Sequence, residues 1–184
     1  MENKVYHGSP NGNITKFIPY KSTHQKECIY ATNNKVVAIL HMGNWNDLDF
    51  RLFSVSGKPE LVERRKGLLK KIYDKPGYLY ELDGRTFSHY DYLWSLEVIS
   101  FAKELIPLNK TFYPNVLNGI LEEEKKGNIV IFRYPNRPKG MPIDNADLID
   151  EFVEFENRGL KGAIKDLLKV YPELAIKVEE KIKK

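Results

Sequence analysis

The sequence predicts an α+β protein, and three observations carry that prediction. Apolar runs of strand length dominate the chain as far as about Tyr134. Turn residues separate them, with only brief helical patterns between. From Ala146 onward the spacing of apolar residues becomes helical. A chain of 184 residues is long enough to bury a sizeable core.

Lys4-Val5-Tyr6-His7 reads as a first strand, broken by the loop Gly8-Ser9-Pro10-Asn11-Gly12-Asn13. Cys28 to Ala31 is a second strand running into Thr32-Asn33-Asn34, polar residues able to cap the helix that buries Val36, Val37 and Leu40 and ends near Gly43. Asp49–Val55 and Leu61–Val62 flank Ser56-Gly57-Lys58-Pro59, read as a hairpin, and Leu68, Leu69 and Ile72 mark a brief helix. Tyr78–Leu82 and Arg85–Phe87 are expected to pair across Asp83-Gly84. Leu93–Ser100 reads as one strand, followed by an extended stretch through Leu108. A helix over Asn115–Lys126 stops at Gly127, and Ile129–Tyr134 is an apolar strand. Composition shifts after Asn136–Gly140. One domain is therefore expected over residues 1–140, and a helical appendage over 141–184, with Pro172 opening the last helix.

Composition bounds the function. The formal charge of +4 is mild and the two signs are interspersed, so the chain lacks the basic stripe of a dedicated nucleic-acid binder. Arg64-Arg65-Lys66 with Lys70-Lys71 is the densest basic cluster, read as the solvated face of a short helix. The acidic set Asp144, Asp147, Asp150, Glu151, Glu154 and Glu156 is likewise read as a solvated helix face. Cys28, the single cysteine, excludes an internal disulfide and a zinc site built on paired cysteines. No apolar run approaches the roughly 20 residues of a membrane span, and Met1–Lys4 does not open a signal peptide. A cytoplasmic protein without a membrane partner or metal is expected. Gly-x-Gly-x-x-Gly, Walker and Gly-x-Ser-x-Gly motifs are absent from the sequence.

Three strand-borne groups stand out. His7-Gly8-Ser9 ends the first strand, Tyr30-Ala31 lies on the second, and Glu97 interrupts the apolar run Leu96-Glu97-Val98-Ile99. A carboxylate in such a run needs a partner or a solvated cleft. Taken singly, His7 could be structural, Tyr30 a core residue, and Glu97 a charge guarding an edge strand. The order His, Tyr, helix, Glu resembles the diphtheria-toxin-like and poly(ADP-ribose)-polymerase-like branch of the ADP-ribosyltransferases. The opening residues are also similar to the rifampin ADP-ribosyltransferases. The likeness covers residues 4–45 well and 78–134 in outline; the C-terminal helices match nothing nameable.

That resemblance implies a split β-sandwich of two small, mostly antiparallel sheets around an NAD cleft. It implies ADP-ribosyl transfer from NAD, with nicotinamide release, to an unidentified acceptor: a protein, a nucleic acid or a small molecule. Glu97, His7 and Tyr30 would be catalytic; His7, Gly8, Ser9, Tyr30, Ala31 and Leu40 would bind NAD. His7 would hold the adenosine-side ribose, Gly8 the carboxamide, Tyr30 the nicotinamide ring and Glu97 the reacting ribose. Leu40, whose apolar edge would still pack on the ring, or His41 stands where many relatives place a second stacking tyrosine; His41 reads as a helix-surface residue, as His24 and His89 read as loop or edge residues. An NAD-dependent RNA 2′-phosphotransferase and a non-catalytic NAD- or nucleotide-binding module are the alternatives. Arginine-modifying relatives carry an acid or amide two positions before the glutamate. Strand alternation puts Ser95 there, so arginine is expected to be a poor acceptor.

Overall fold

The computed structural model describes residues 3–21 and 26–183; His24 lies outside them. The described residues form two sheets and six α-helices, an α+β arrangement. The larger sheet joins β1 (Lys4–Ser9), β2 (Tyr20–Lys21), β3 (Glu27–Thr32), β6 (Gly77–Asp83), β7 (Glu97–Ser100) and β8 (Asn109–Tyr113). Its order is β2-β3-β1-β6-β8, with β7 on β3, and the pairings recorded are antiparallel. The smaller sheet has the order β4 (Phe50–Val55), β5 (Lys58–Glu63), β9 (Val130–Phe132).

The larger sheet splits along its middle. β1 and β6 stay in register over six residues, from Lys4↔Asp83 to Ser9↔Tyr78. β1 and β3 meet in register only at Tyr6↔Thr32. Beyond that pair β3 instead joins β2 through Tyr20↔Cys28, and β7 through Ile29↔Ser100 to Thr32↔Glu97. Val5, Ile29, Ala31, Tyr80, Leu82 and Val98 pack with Phe17 as one apolar cluster. Cys28 and Tyr30 of β3 and Ile99 of β7, of opposite parity to the first set, pack with Leu93 as another.

Asn34 caps α1 (Lys35–Leu40), its side chain accepting from Val36 N and Val37 N. The next five residues, Val36 to Leu40, are all buried. Asn115 caps α3 (Val116–Lys125), which stops before Gly127 at φ 79°. Ser56 (φ 50°) and Gly57 (φ 79°) alone turn β4 into β5, so Lys58 and Pro59 belong to the strand rather than to the turn.

Two strand expectations fail. Arg85–Phe87 does not pair with Tyr78–Leu82, because β1 and β8 take the two edges of β6. Asp83 instead accepts from Arg85 N, and Gly84–Thr86 forms a 3₁₀ turn. Leu93–Leu96 is turn, so β7 starts only at Glu97. The edge strand β8 starts only after the stretch expected to be extended through Leu108, and the sequence reading did not include it.

Packing divides the chain into two compact units. One comprises Met1–Asn44, Leu52–Glu60 and Leu69–Val130; the other comprises Trp45–Arg51, Leu61–Leu68 and Ile131–Lys184. The C-terminal helices therefore recruit two segments from within the expected first domain rather than standing alone from residue 141. α4 (Leu148–Asn157), α5 (Ala163–Val170) and α6 (Ala175–Ile182) bury Leu148, Ile149, Phe152, Leu167, Tyr171, Leu174 and Val178 around Leu48. Several of these recur one helical turn apart. Pro172 opens a 3₁₀ turn, Pro172–Leu174, ahead of α6.

Arg64 corrects the reading of the basic cluster. It lies in the bend after β5, is 1% exposed, and donates to both carboxylate oxygens of Asp147 at 3.1 and 3.0 Å. Arg137 crosses this knot, donating to the carbonyls of Glu63 and Arg64 and to Asn145 Oδ1. The acidic set is also engaged. Asp144 meets Lys177, Asp150 meets Lys181, and Glu156 accepts from Gly162 N and Ile164 N.

Candidate functional site

The gap between β1 and β3 is where His7 acts as a strand bridge. Its Nδ1 lies 2.9 Å from the Tyr30 carbonyl. A carbonyl only accepts, so Nδ1 carries the proton and the neutral ring keeps its lone pair on Nε2. The Phe17 ring meets the imidazole edge-on at 4.8 Å. Burial lowers the His7 pKa, against the opposing pull of the Tyr30 hydrogen bond, and so favours that neutral form.

The loop after β1 is pinned from β6. Tyr80 Oη donates to the Asn11 carbonyl at 2.7 Å and accepts from Ile14 N. Ser9 is buried, and its Oγ accepts from Asn11 N, closing a local turn.

Gly8 has a packing reason to be glycine. A Cβ built there would lie 1.6 Å from the Ala38 carbonyl oxygen, because α1 crosses directly over it. Leu40 is 0% exposed and its carbonyl accepts from Tyr73 Oη. The apolar edge expected from Leu40 is thus turned inward. His41, the C-cap of α1, is exposed by surface area, although the groups around its ring desolvate it. Burial and the neighbouring His7 push its pKa down to about 4. A histidine one residue past a wholly buried helix face was the available sequence signal for this position.

Tyr30 and Ala31 are 9% and 7% exposed. The Tyr20 ring lies over Tyr30 at 5.8 Å. Burial raises the Tyr30 pKa, with further upward pushes from Cys28 and from the Glu97 carboxylate. Glu97 pairs with Thr32 across the β3–β7 ladder and is half-buried. Its carbonyl accepts from His89 Nδ1 at 3.0 Å, a contact the edge-residue reading of His89 did not foresee. Ser95 precedes β7 in the turn, so alternation does not place it beside Glu97. Its Oγ lies 3.0 Å from Ser54 Oγ instead.

The fold therefore brings His7, Tyr30 and Glu97 onto three strands of one sheet, with His7 tied to the Tyr30 backbone and Glu97 close enough to perturb the Tyr30 phenol. It covers Gly8, Ser9, Ala31 and Leu40 with other parts of the same unit. An open cleft of about 540 Å³ in the same unit is lined by residues that include Tyr6, Asn33, Lys35, Lys58, Glu123 and Asn128, and by none of the expected site residues. Among the described residues, no three His, Cys, Asp or Glu side chains group as metal ligands. No helix among them is long and apolar enough to cross a membrane. Comparison with family models, curated proteins and solved structures yields no match to this chain.

Proposed function

We propose that this chain transfers ADP-ribose from NAD, releasing nicotinamide, with an ADP-ribosyltransferase-like split sheet as its scaffold. The observation that supports the reading is that His7, Tyr30 and Glu97 stand on three strands of one sheet, β1, β3 and β7, with His7 bonded to the Tyr30 carbonyl and Glu97 close to the Tyr30 phenol. Breaking the nicotinamide–ribose bond leaves positive charge on the sugar, and a nearby carboxylate lowers the energy of that state. Glu97 is half-buried, where such a charge acts through less water than at the open surface. The Nε2 lone pair of neutral His7 accepts from a ribose hydroxyl.

A second reading, a binding module without turnover, is favoured by a specific observation. Gly8, Tyr30 and Leu40, the groups meant to hold the nicotinamide end, are all buried beneath protein. The acceptor in the first reading is a protein, a nucleic acid or a small molecule.

Incubating the pure protein with NAD and following free nicotinamide by mass tests the first reading. Glu97→Gln should keep the fold and most NAD affinity while release falls about 100-fold or more, since the carboxylate stabilises the cationic transition state more than the ground state. Parental release by Glu97→Gln would remove Glu97 from the chemistry. Equilibrium NAD binding with no release by the parent would select the binding module.

A further inference from the structure

A run of exposed aromatic rings lies beside β7. Tyr90 and Tyr92 stack at 5.6 Å with an interplanar angle of 24°, and Phe101 meets Tyr90 edge-on at 6.0 Å. They are 37%, 42% and 53% exposed. Lys26 Nζ sits 4.1 Å from the centre of the Tyr92 ring, a cation–π contact.

The loop that carries the tyrosines is fixed to the sheet. Ser88 and Ile99 exchange both backbone hydrogen bonds, Leu93 N donates to the Tyr90 carbonyl, and His89 Nδ1 donates to the Glu97 carbonyl. The rings are therefore presented by ordered backbone. Water-facing rings cost free energy that a core would have recovered, and their faces suit any planar partner.

We infer that Tyr90, Tyr92 and Phe101, with Lys26, form a stacking surface for the unpaired bases of single-stranded nucleic acid. Three rings in series on an open face suit successive bases of a strand better than one lone ring, which a closed slot would grip. Lys26, at the Tyr92 ring, and Lys103, two residues after Phe101, are exposed and supply charge for phosphates, against the exposed acids Glu27 and Asp91. Glu104 is engaged by Lys16. Balanced charge of this kind predicts modest affinity with stacking as its main source. His89, in the same loop as the tyrosines, donates to the Glu97 backbone carbonyl and so ties the surface to β7.

The test needs no NAD, which separates its failure from failure of the transfer reaction. Labelled oligouridine and oligothymidine about 12 nucleotides long are titrated with the full chain at low salt, with fluorescence anisotropy as the readout. The expected result is saturable binding, weaker for duplex of equal length, and reduced about tenfold by Tyr92→Ala or Phe101→Ala. Ile182→Ala, at an exposed position in the last helix, should bind as the parent does. The inference is overturned if the parent binds no strand. It is overturned equally if both ring variants bind like the parent, or if uridine monophosphate competes as well as the strand does. Self-association of the parent that Tyr92→Ala abolishes, without strand binding, would give the face to a second copy of the chain.

Discussion

The gap between β1 and β3 and the arginine knot around Arg64 handle polar groups in opposite ways. At the gap, a neutral imidazole replaces a missing stretch of backbone ladder and keeps one ring nitrogen for other use. At the knot, a full charge is buried and answered by a fork-to-fork carboxylate, two carbonyls held by Arg137, and Asn145 at φ 61°. The first arrangement leaves chemistry available. The second spends its polar groups on each other, and even so the Nε atoms of Arg64, Arg65 and Arg137 are buried without a hydrogen-bond partner. Polar residues at the gap are candidates for function, and those at the knot hold chain segments together.

The largest effect should come from breaking the knot. Arg64→Met leaves Asp147, whose side chain is 13% exposed, with Arg51 alone. Removing one partner of a buried pair costs about 3–5 kcal/mol, and Arg51, being half-exposed, should recover part of it. We expect urea unfolding to show a loss of about 3 kcal/mol. Arg158→Ala, which removes the exposed pair with Glu154, should leave the midpoint nearly where it was. Equal, small shifts in both variants would mean that the knot is no tighter than a surface pair.

A smaller but sharper effect is expected at Gly8. The Cβ of Gly8→Ala meets a backbone oxygen in α1, which cannot rotate away as a side chain would. Overpacking of this kind costs about 1–3 kcal/mol, and thermal melting should report it. If Gly8→Ala is as stable as the parent, the closeness of α1 is not what requires glycine there. The position would then be open to a ligand-facing explanation.

The contrast also explains what the sequence disclosed. The cap of α1 was legible because Asn34 bonds to amides two and three residues away; local chemistry needs no knowledge of the rest of the chain. The strands bearing His7 and Tyr30 were legible from alternation and turn residues. Glu97 was legible as a carboxylate out of place, although its strand was drawn four residues too long at the start. The pairing of β6 was not legible, since Asp83-Gly84 carries a strong hairpin signal that loses only because β1 and β8 claim both edges. Arg64 was misread because runs of charge usually face water, and its partner Asp147 lies 83 residues away. The coverage of Gly8, Tyr30 and Leu40 is likewise a tertiary fact.

The smallest effect, and the one that sets the two regions most directly against each other, is the response to acid. His7 and His41 have folded-state pKa values below the free value of 6.5, with His41 at about 4. Between those limits the unfolded chain binds more protons at these sites than the folded one. Their contribution to stability is therefore complete above pH 6.5 and declines as pH falls toward 4. Asp47 and Glu151 in the other unit shift upward, chiefly through burial, with Arg64 opposing both. A raised carboxyl pKa has the reverse sign: the folded state binds the extra proton, so acidification through the raised value favours folding until the unfolded groups protonate as well. Hydrogen exchange at pH 7 and pH 5, corrected for intrinsic rates, should show protection falling in β1, β3 and α1 while it holds in α4. His41→Asn should flatten the loss in the first unit and leave α4 as it was. Parallel loss in both regions would mean that His7 and His41 do not govern the acid response of the split sheet.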